Sequence, residues 1–152
     1  MNNAAMIHVT YIETTPDKLW RALTSGEFTR LYWFGRRIES EWTVGSPVRF
    51  YDSADGSLTD SGEVLVYDEP TTLAYTFKNE FLADRKDEAP GRVTFTIEPA
   101  GPSVVKLQVV HDQIAADTVE GWRTGWAPIL ANLKTYLETS RTLDITVQPT
   151  TA

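Results

Sequence analysis

The chain has 152 residues, enough for a hydrophobic core built without disulfides or metals, and its 41% hydrophobic and 23% charged composition is that of a globular protein. It has no cysteine, which excludes disulfides, thiol nucleophiles, iron–sulfur clusters and thiolate zinc sites. A formal net charge of -7 argues against nucleic acid as a partner, because such a surface must replace phosphate counterions with Lys and Arg.

In chain order, Ile7 to Glu13 is rich in β-branched and aromatic residues and predicts an opening strand. Thr15 to Thr24 predicts a short helix, with Thr15 as cap, Pro16 at the first helical position, Asp17 in the first turn, and Leu19, Trp20 and Leu23 on one side. Ser25-Gly26 breaks it, and Glu27 to Phe34 forms a second brief helix ending in the aromatic run Leu31 to Phe34.

From Arg36 to His111 the pattern changes to short segments parted by turn signals, as in an antiparallel sheet. The expected strands are Arg36–Trp42, Val48–Asp52, Gly62–Tyr67, Leu73–Asn79, Arg92–Glu98 and Val104–His111, with a charged loop from Phe81 to Gly91. Alternation groups Leu73, Tyr75 and Phe77 on one face, then Val93, Phe95 and Ile97, then Val105, Leu107, Val109 and His111. Val64 to Tyr67 satisfies both faces.

Asp117 to Glu138 reads as a long helix whose stripe comprises Val119, Trp122, Trp126, Ile129, Leu130, Leu133, Tyr136 and Leu137. Gly121 and Gly125 flank the stripe and permit close backbone approach. Pro128 withholds a donor from the carbonyl of Thr124, so the helix either bends near Gly125 or starts at Pro128. The expected domain spans residues 1–143, and 144–152 form a flexible tail. No apolar run approaches membrane length and the N-terminus lacks a secretory pattern, so the expected location is cytoplasmic.

Four stretches in this order resemble the START-like, or SRPBCC, helix-grip superfamily, and more narrowly the family of the C-terminal domain of the activator of the Hsp90 ATPase. They are Thr15 to Thr24, Trp42 to Phe50, Ser61 to Val64 with Asp68 to Pro70 and Leu73 to Tyr75, and Gly125 to Lys134. The resemblance implies an α+β fold like that of the birch pollen allergen: a curved antiparallel sheet of about six to seven strands around a long C-terminal helix, with two short helices after strand 1. It also implies a cavity between sheet and helix for an apolar or aromatic small molecule. The residues expected to line it are Trp33, Phe34, Phe50, Tyr75, Phe77, Phe95, His111, Trp122, Trp126 and Leu130.

Three activities follow as expectations. The first is small-molecule binding in that cavity. The second is a cyclase- or hydrolase-like enzyme using the same cavity, for which His111 is the candidate catalytic group; as a structural residue His111 would instead find its partners in Asp112 beside it and in nearby backbone groups. The third is a co-chaperone-like module with a chaperone-like protein partner. No cofactor, metal site, nucleic-acid or membrane partner is expected. Asp52 to Asp60 reads as a solvated hairpin tip, Asp84 to Glu88 as an exposed loop able to cover the cavity, and Arg36, Arg37 and Arg49 as the fixed cations for an acidic ligand group.

Overall fold

The structure is a computed structural model that describes residues 2–81 and 88–146. Seven strands, β1 (Ala4–Ile12), β2 (Arg36–Ser40), β3 (Pro47–Asp52), β4 (Leu58–Asp68), β5 (Thr72–Asn79), β6 (Gly91–Gly101) and β7 (Val104–Ile114), form one sheet. The order across it is β1-β7-β6-β5-β4-β3-β2 and every neighbouring pair is antiparallel. Three helices, α1 (Pro16–Thr24), α2 (Gly26–Tyr32) and α3 (Val119–Thr139), supply the covering layer. None of the described helices is long and apolar enough to cross a membrane.

The start of α1 is where capping chemistry puts it. Thr15 Oγ1 accepts from the Lys18 amide at 3.3 Å, and Pro16 opens α1. After α2 the chain turns through Phe34 and Gly35, both at positive φ (49° and 75°), and enters β2. Leu19, Trp20 and Leu23 are buried, as their spacing predicts.

Several expected strands prove longer. β1 starts at Ala4, β4 at Leu58, and β6 and β7 extend to Gly101 and Ile114. Trp42, expected in a strand, lies beyond β2 with φ 56°. The ambiguity at Val64 to Tyr67 has a physical cause: the β4–β5 register shifts between Val64 and Val66, so Val64 is buried while Val66 is exposed. Of the loop expected from Phe81 to Gly91, residues 82–87 lie outside the described residues, and with them most of the stretch expected to cover the cavity.

α3 is continuous from Val119 to Thr139 with Pro128 inside it, which removes the alternative of a helix beginning at Pro128. Its buried face is Trp122, Gly125, Trp126, Ile129, Leu130, Asn132 and Leu133. Val119 and Leu137 are only partly buried, and Asn132, unexpected in an apolar stripe, is held because its Oδ1 accepts the Leu143 amide at 2.7 Å. The C-terminal half of α3 also grips β1: Lys134 Nζ donates to the Tyr11 carbonyl at 2.6 Å and the Glu13 amide donates to the Glu138 carboxylate at 2.9 Å.

Candidate functional site

The space between the inner sheet face and α3 is filled by one connected set of rings. Trp33, at the end of α2, lies 4.7 Å from Phe50 of β3 and 5.2 Å from Trp126 of α3, centroid to centroid. Phe77 of β5 lies 5.6 Å from Phe50 and 5.9 Å from Trp122. Tyr75 and Phe95 are 5.9 Å apart, and Phe95 lies 6.0 Å from Trp126. These separations and tilted or edge-on geometries are those of favourable aromatic pairs. Leu130 is buried in the same core.

Nine of the ten residues expected to line the cavity therefore belong to this core, and none of the nine is more than 6% exposed. Phe34 is the exception. The left-handed turn at Phe34-Gly35 carries it to the core margin, where it is half-buried and touches no other ring closely enough to stack. The void bordering the cluster, beside Phe77, Gly91 and Trp122, holds about 20 Å³, room for a single water. A guest of ten or more heavy atoms needs these side chains to move. Trp122, at 6% the least buried of the ring residues, stands at that border.

His111, near the end of β7, is wholly buried and lies 4.4 Å from Trp122, centroid to centroid. Its Nδ1 accepts from Trp126 Nε1 at 3.0 Å. Burial lowers its pKa from 6.5 to about 4, the nearby Asp112 charge opposing only in part. The ring is thus neutral at pH 7 with its proton on Nε2, a donor that has no hydrogen-bond partner among the described residues. Asp112, expected as that partner, is instead taken by Arg92, whose Nε and Nη2 reach its two oxygens at 3.0 and 2.6 Å. His8, on β1 opposite Val109, is half-buried and makes no ring contact with this cluster.

At the neighbouring corner of the same face a charged pair is buried. Arg36 Nη1 faces Asp60 Oδ2 at 3.5 Å, outside hydrogen-bonding geometry, and Asn79 Nδ2 donates to Asp60 Oδ1 at 2.7 Å. Loss of hydration lowers the Arg36 pKa and raises that of Asp60, each partly countered by the other's charge. The Phe81 ring lies 4.8 Å from the Arg36 guanidinium carbon. Arg37 pairs with Glu39 on the surface, and Arg49 lines a groove of about 200 Å³ with Glu39, Ser40, Glu41, Pro47 and Tyr51. Only Arg36 of the three expected cations turns inward.

Asp60 and Asn79 are the site residues that the sequence pattern missed. Asp60 falls in the expected hairpin tip, yet it pairs across β3–β4 with Phe50, itself fully buried, and residues directly opposite share a face. Asn79 follows Tyr75 and Phe77 at the two-residue period, a signal that was present in the alternation.

Comparison with known proteins agrees with this architecture. The profile of the family described as "Activator of Hsp90 ATPase homolog 1-like protein" matches residues 13–138. Among proteins of curated function, none matches the chain in sequence. The chain is similar in structure to the Aha1 dimer from Colwellia psychrerythraea (TM-score 0.71, 20% identity, 90% of this chain and 97% of that one). It is also similar to protein MLL2253 from Mesorhizobium loti (0.70, 28% identity, 88% and 96%). A third similar structure is PFC0360w, an HSP90 activator from Plasmodium falciparum (0.72, 19% identity, 88% and 95%). With its sheet curled on a long C-terminal helix and the family profile spanning residues 13–138, the chain belongs to the activator of Hsp90 ATPase homolog 1-like family of helix-grip proteins.

Proposed function

We propose that this protein binds a small apolar or aromatic molecule between the inner sheet face and α3, admitted past Trp122. The observation that carries the reading is the placing of buried polar atoms without hydrogen-bond partners. Of the seven such atoms among the described residues, Trp33 Nε1, Tyr75 OH, Asn79 Oδ1 and His111 Nε2 belong to the ring cluster or its charged corner, Arg36 Nη1 and Asp60 Oδ2 face each other there as an ion pair, and the seventh is Thr14 Oγ1. A core serving stability alone pairs such groups, since each one left unmet costs about 1–3 kcal/mol. A guest with an apolar body and one or two polar atoms would meet some of them. Binding is favoured over catalysis because His111 has one nitrogen engaged by Trp126 and a pKa near 4, too low for an efficient base at neutral pH.

The test is a titration of tryptophan fluorescence with 1-anilinonaphthalene-8-sulfonate, alongside native mass spectrometry of protein purified from its own host. Saturable quenching, displaced by any copurifying molecule, is expected. His111→Phe should keep the fold and change affinity by about 0.5–1.5 kcal/mol, the worth of one neutral hydrogen bond. Absence of both a saturable dye signal and a copurifying molecule would overturn the reading. Turnover of a copurified molecule that vanishes in His111→Phe while binding persists would replace it with the enzyme reading.

A second reading is contact with a chaperone in the cytoplasm, supported by family membership and by similarity to the Plasmodium activator. Measuring Hsp90 ATPase turnover with and without the chain decides it; an unchanged rate at saturating concentration removes it.

A further inference from the structure

The void at the border of the ring cluster has a chemistry of its own. Phe77, Asn79, Ile114 and Trp122 line it together with Gly91, the first residue of β6. Gly91 is buried and is not at positive φ, so space and not backbone conformation calls for glycine there. A Cβ on it would stand 2.9 Å from His111 Nε2 and 2.9 Å from Ile114 Cγ2. The missing side chain leaves the Nε2 edge of the His111 ring open toward the void.

Two polar atoms without hydrogen-bond partners among the described residues border this space, Asn79 lining it directly and His111 across Gly91. His111 Nδ1 accepts from Trp126 Nε1, so the proton of the neutral ring is on Nε2, a donor. Asn79 Nδ2 donates to Asp60 Oδ1, so its unmet atom is Oδ1, an acceptor. The two side chains are 0% and 3% exposed. Strand pairing keeps them on one face: Tyr75, Phe77 and Asn79 are buried at two-residue spacing, and Phe77 pairs with Gly91 and meets the His111 ring edge-on at 5.9 Å. One unmet donor and one unmet acceptor thus border about 20 Å³, room for a single oxygen with its hydrogen.

We infer, resting on the binding reading above, that this void is the anchor for a hydroxyl group, and that the guest is a neutral phenol or alcohol on an apolar body. Its oxygen accepts from His111 Nε2 and its O–H donates to Asn79 Oδ1. A hydroxyl is the smallest group that offers an acceptor and a donor on one atom. An ether or ketone oxygen would meet His111 and leave Asn79 unmet, and an ammonium would have no acceptor for His111. A carboxylate would face Asn79 Oδ1 with its own lone pairs and bring its charge beside Asp60, whose Oδ1 accepts from the same amide at 2.7 Å. Lys78 also lines the void, but its ammonium lies 4.0 Å from the Glu80 carboxylate. The apolar body lies along Phe77 once Trp122 swings outward.

Titration of ¹⁵N-labelled protein with 4-ethylphenol, 4-ethylanisole, ethylbenzene and 4-ethylbenzoate, followed through the tryptophan indole N–H signals, tests this. 4-Ethylphenol should bind at least about tenfold more tightly than the other three, since each of those leaves one or both buried groups unmet. Gly91→Ala puts a methyl group into the anchor and should erase the preference. His111→Phe removes only the donor and should reduce the preference over ethylbenzene at least about threefold. Circular dichroism verifies each variant's fold, and His111→Phe carries the test where Gly91→Ala does not fold. Equal binding of 4-ethylphenol and ethylbenzene would overturn the hydroxyl anchor and leave the binding reading intact. Tightest binding of 4-ethylbenzoate, or an unchanged preference in either folded variant, would do the same. Indole signals unmoved by all four compounds, in a protein that still binds 1-anilinonaphthalene-8-sulfonate saturably, would also overturn the anchor alone; if the dye fails as well, both readings fall.

Discussion

Acid should weaken this protein through His111, and the size of the effect can be worked out. The folded-state pKa is about 4 against 6.5 for the free side chain. Between these values the unfolded chain binds the proton and the folded one does not. Stability therefore falls as pH falls through that window and the loss levels off below about pH 4. At about 1.4 kcal/mol per pH unit the full loss is about 3 kcal/mol, of which about 2 kcal/mol is reached between pH 7 and pH 4.5. The assay is urea unfolding at both pH values for the wild type and His111→Phe. Asp60, Asp112 and Glu138 also have altered pKa; comparison with the variant cancels Asp60 and Glu138, and cancels Asp112 except for its direct interaction with His111. His111→Phe strands the Trp126 indole N–H and should cost about 1–3 kcal/mol at pH 7, but it lacks the His111 contribution to the acid slope, so the two proteins should converge near pH 4.5. Parallel losses in wild type and variant would refute both the burial of His111 and its neutral state.

Further outcomes follow from the packing. Trp126→Ala removes a side chain 1% exposed in the middle of the ring cluster and should cost about 3–5 kcal/mol. At 2–4 °C per kcal/mol for a chain of this length, scanning calorimetry should show melting lower by about 6–20 °C. Arg36→Met leaves the Asp60 carboxylate buried without its cation and should cost about 3–5 kcal/mol in denaturant unfolding. The double variant Arg36→Met/Asp60→Leu should be more stable than that single one; a less stable double variant would mean that the pair is not desolvated. Gly62→Ala would place Cβ 1.6 Å from the Thr76 carbonyl oxygen, a clash with backbone across β4–β5 that should cost about 3 kcal/mol or more. Unchanged melting of Gly62→Ala would show that these two strands pair in another register.

The features legible in the sequence were those written in periodicity. Tyr75 and Phe77, Val93 and Phe95, and Val109 and His111 alternate without interruption, and the α3 stripe repeats at helical spacing, so the sheet, the helix and the inward-facing rings are written in the sequence. Asp60 could not, because its face depends on the β3–β4 register, which shifts between Phe50 and Tyr51; a slip of one residue sends a side chain to the other side. Phe34 closes a segment whose composition predicts helix, but α2 ends at Tyr32 and Phe34 is at φ 49°, which turns it away from the rings. Asn132 shows a third limit: a polar side chain sits on the buried face because a distant amide, that of Leu143, meets it there.

The position of β1 bears on how the chain is made. Of the seven strands this one leaves the ribosome before the others, yet its sheet neighbour is β7, Val104–Ile114, and the helix that bonds its carbonyl and the following amide ends at Thr139. At about 5–20 residues per second, roughly 5–20 seconds of synthesis separate the appearance of β1 from that of its first partner. Throughout that interval an uncharged strand carrying Met6, Ile7, Val9, Tyr11 and Ile12 has nothing of its own chain to pair with. Closure of the sheet at this edge is a late event in translation, and the exposed nascent strand is a natural substrate for holding factors until α3 arrives.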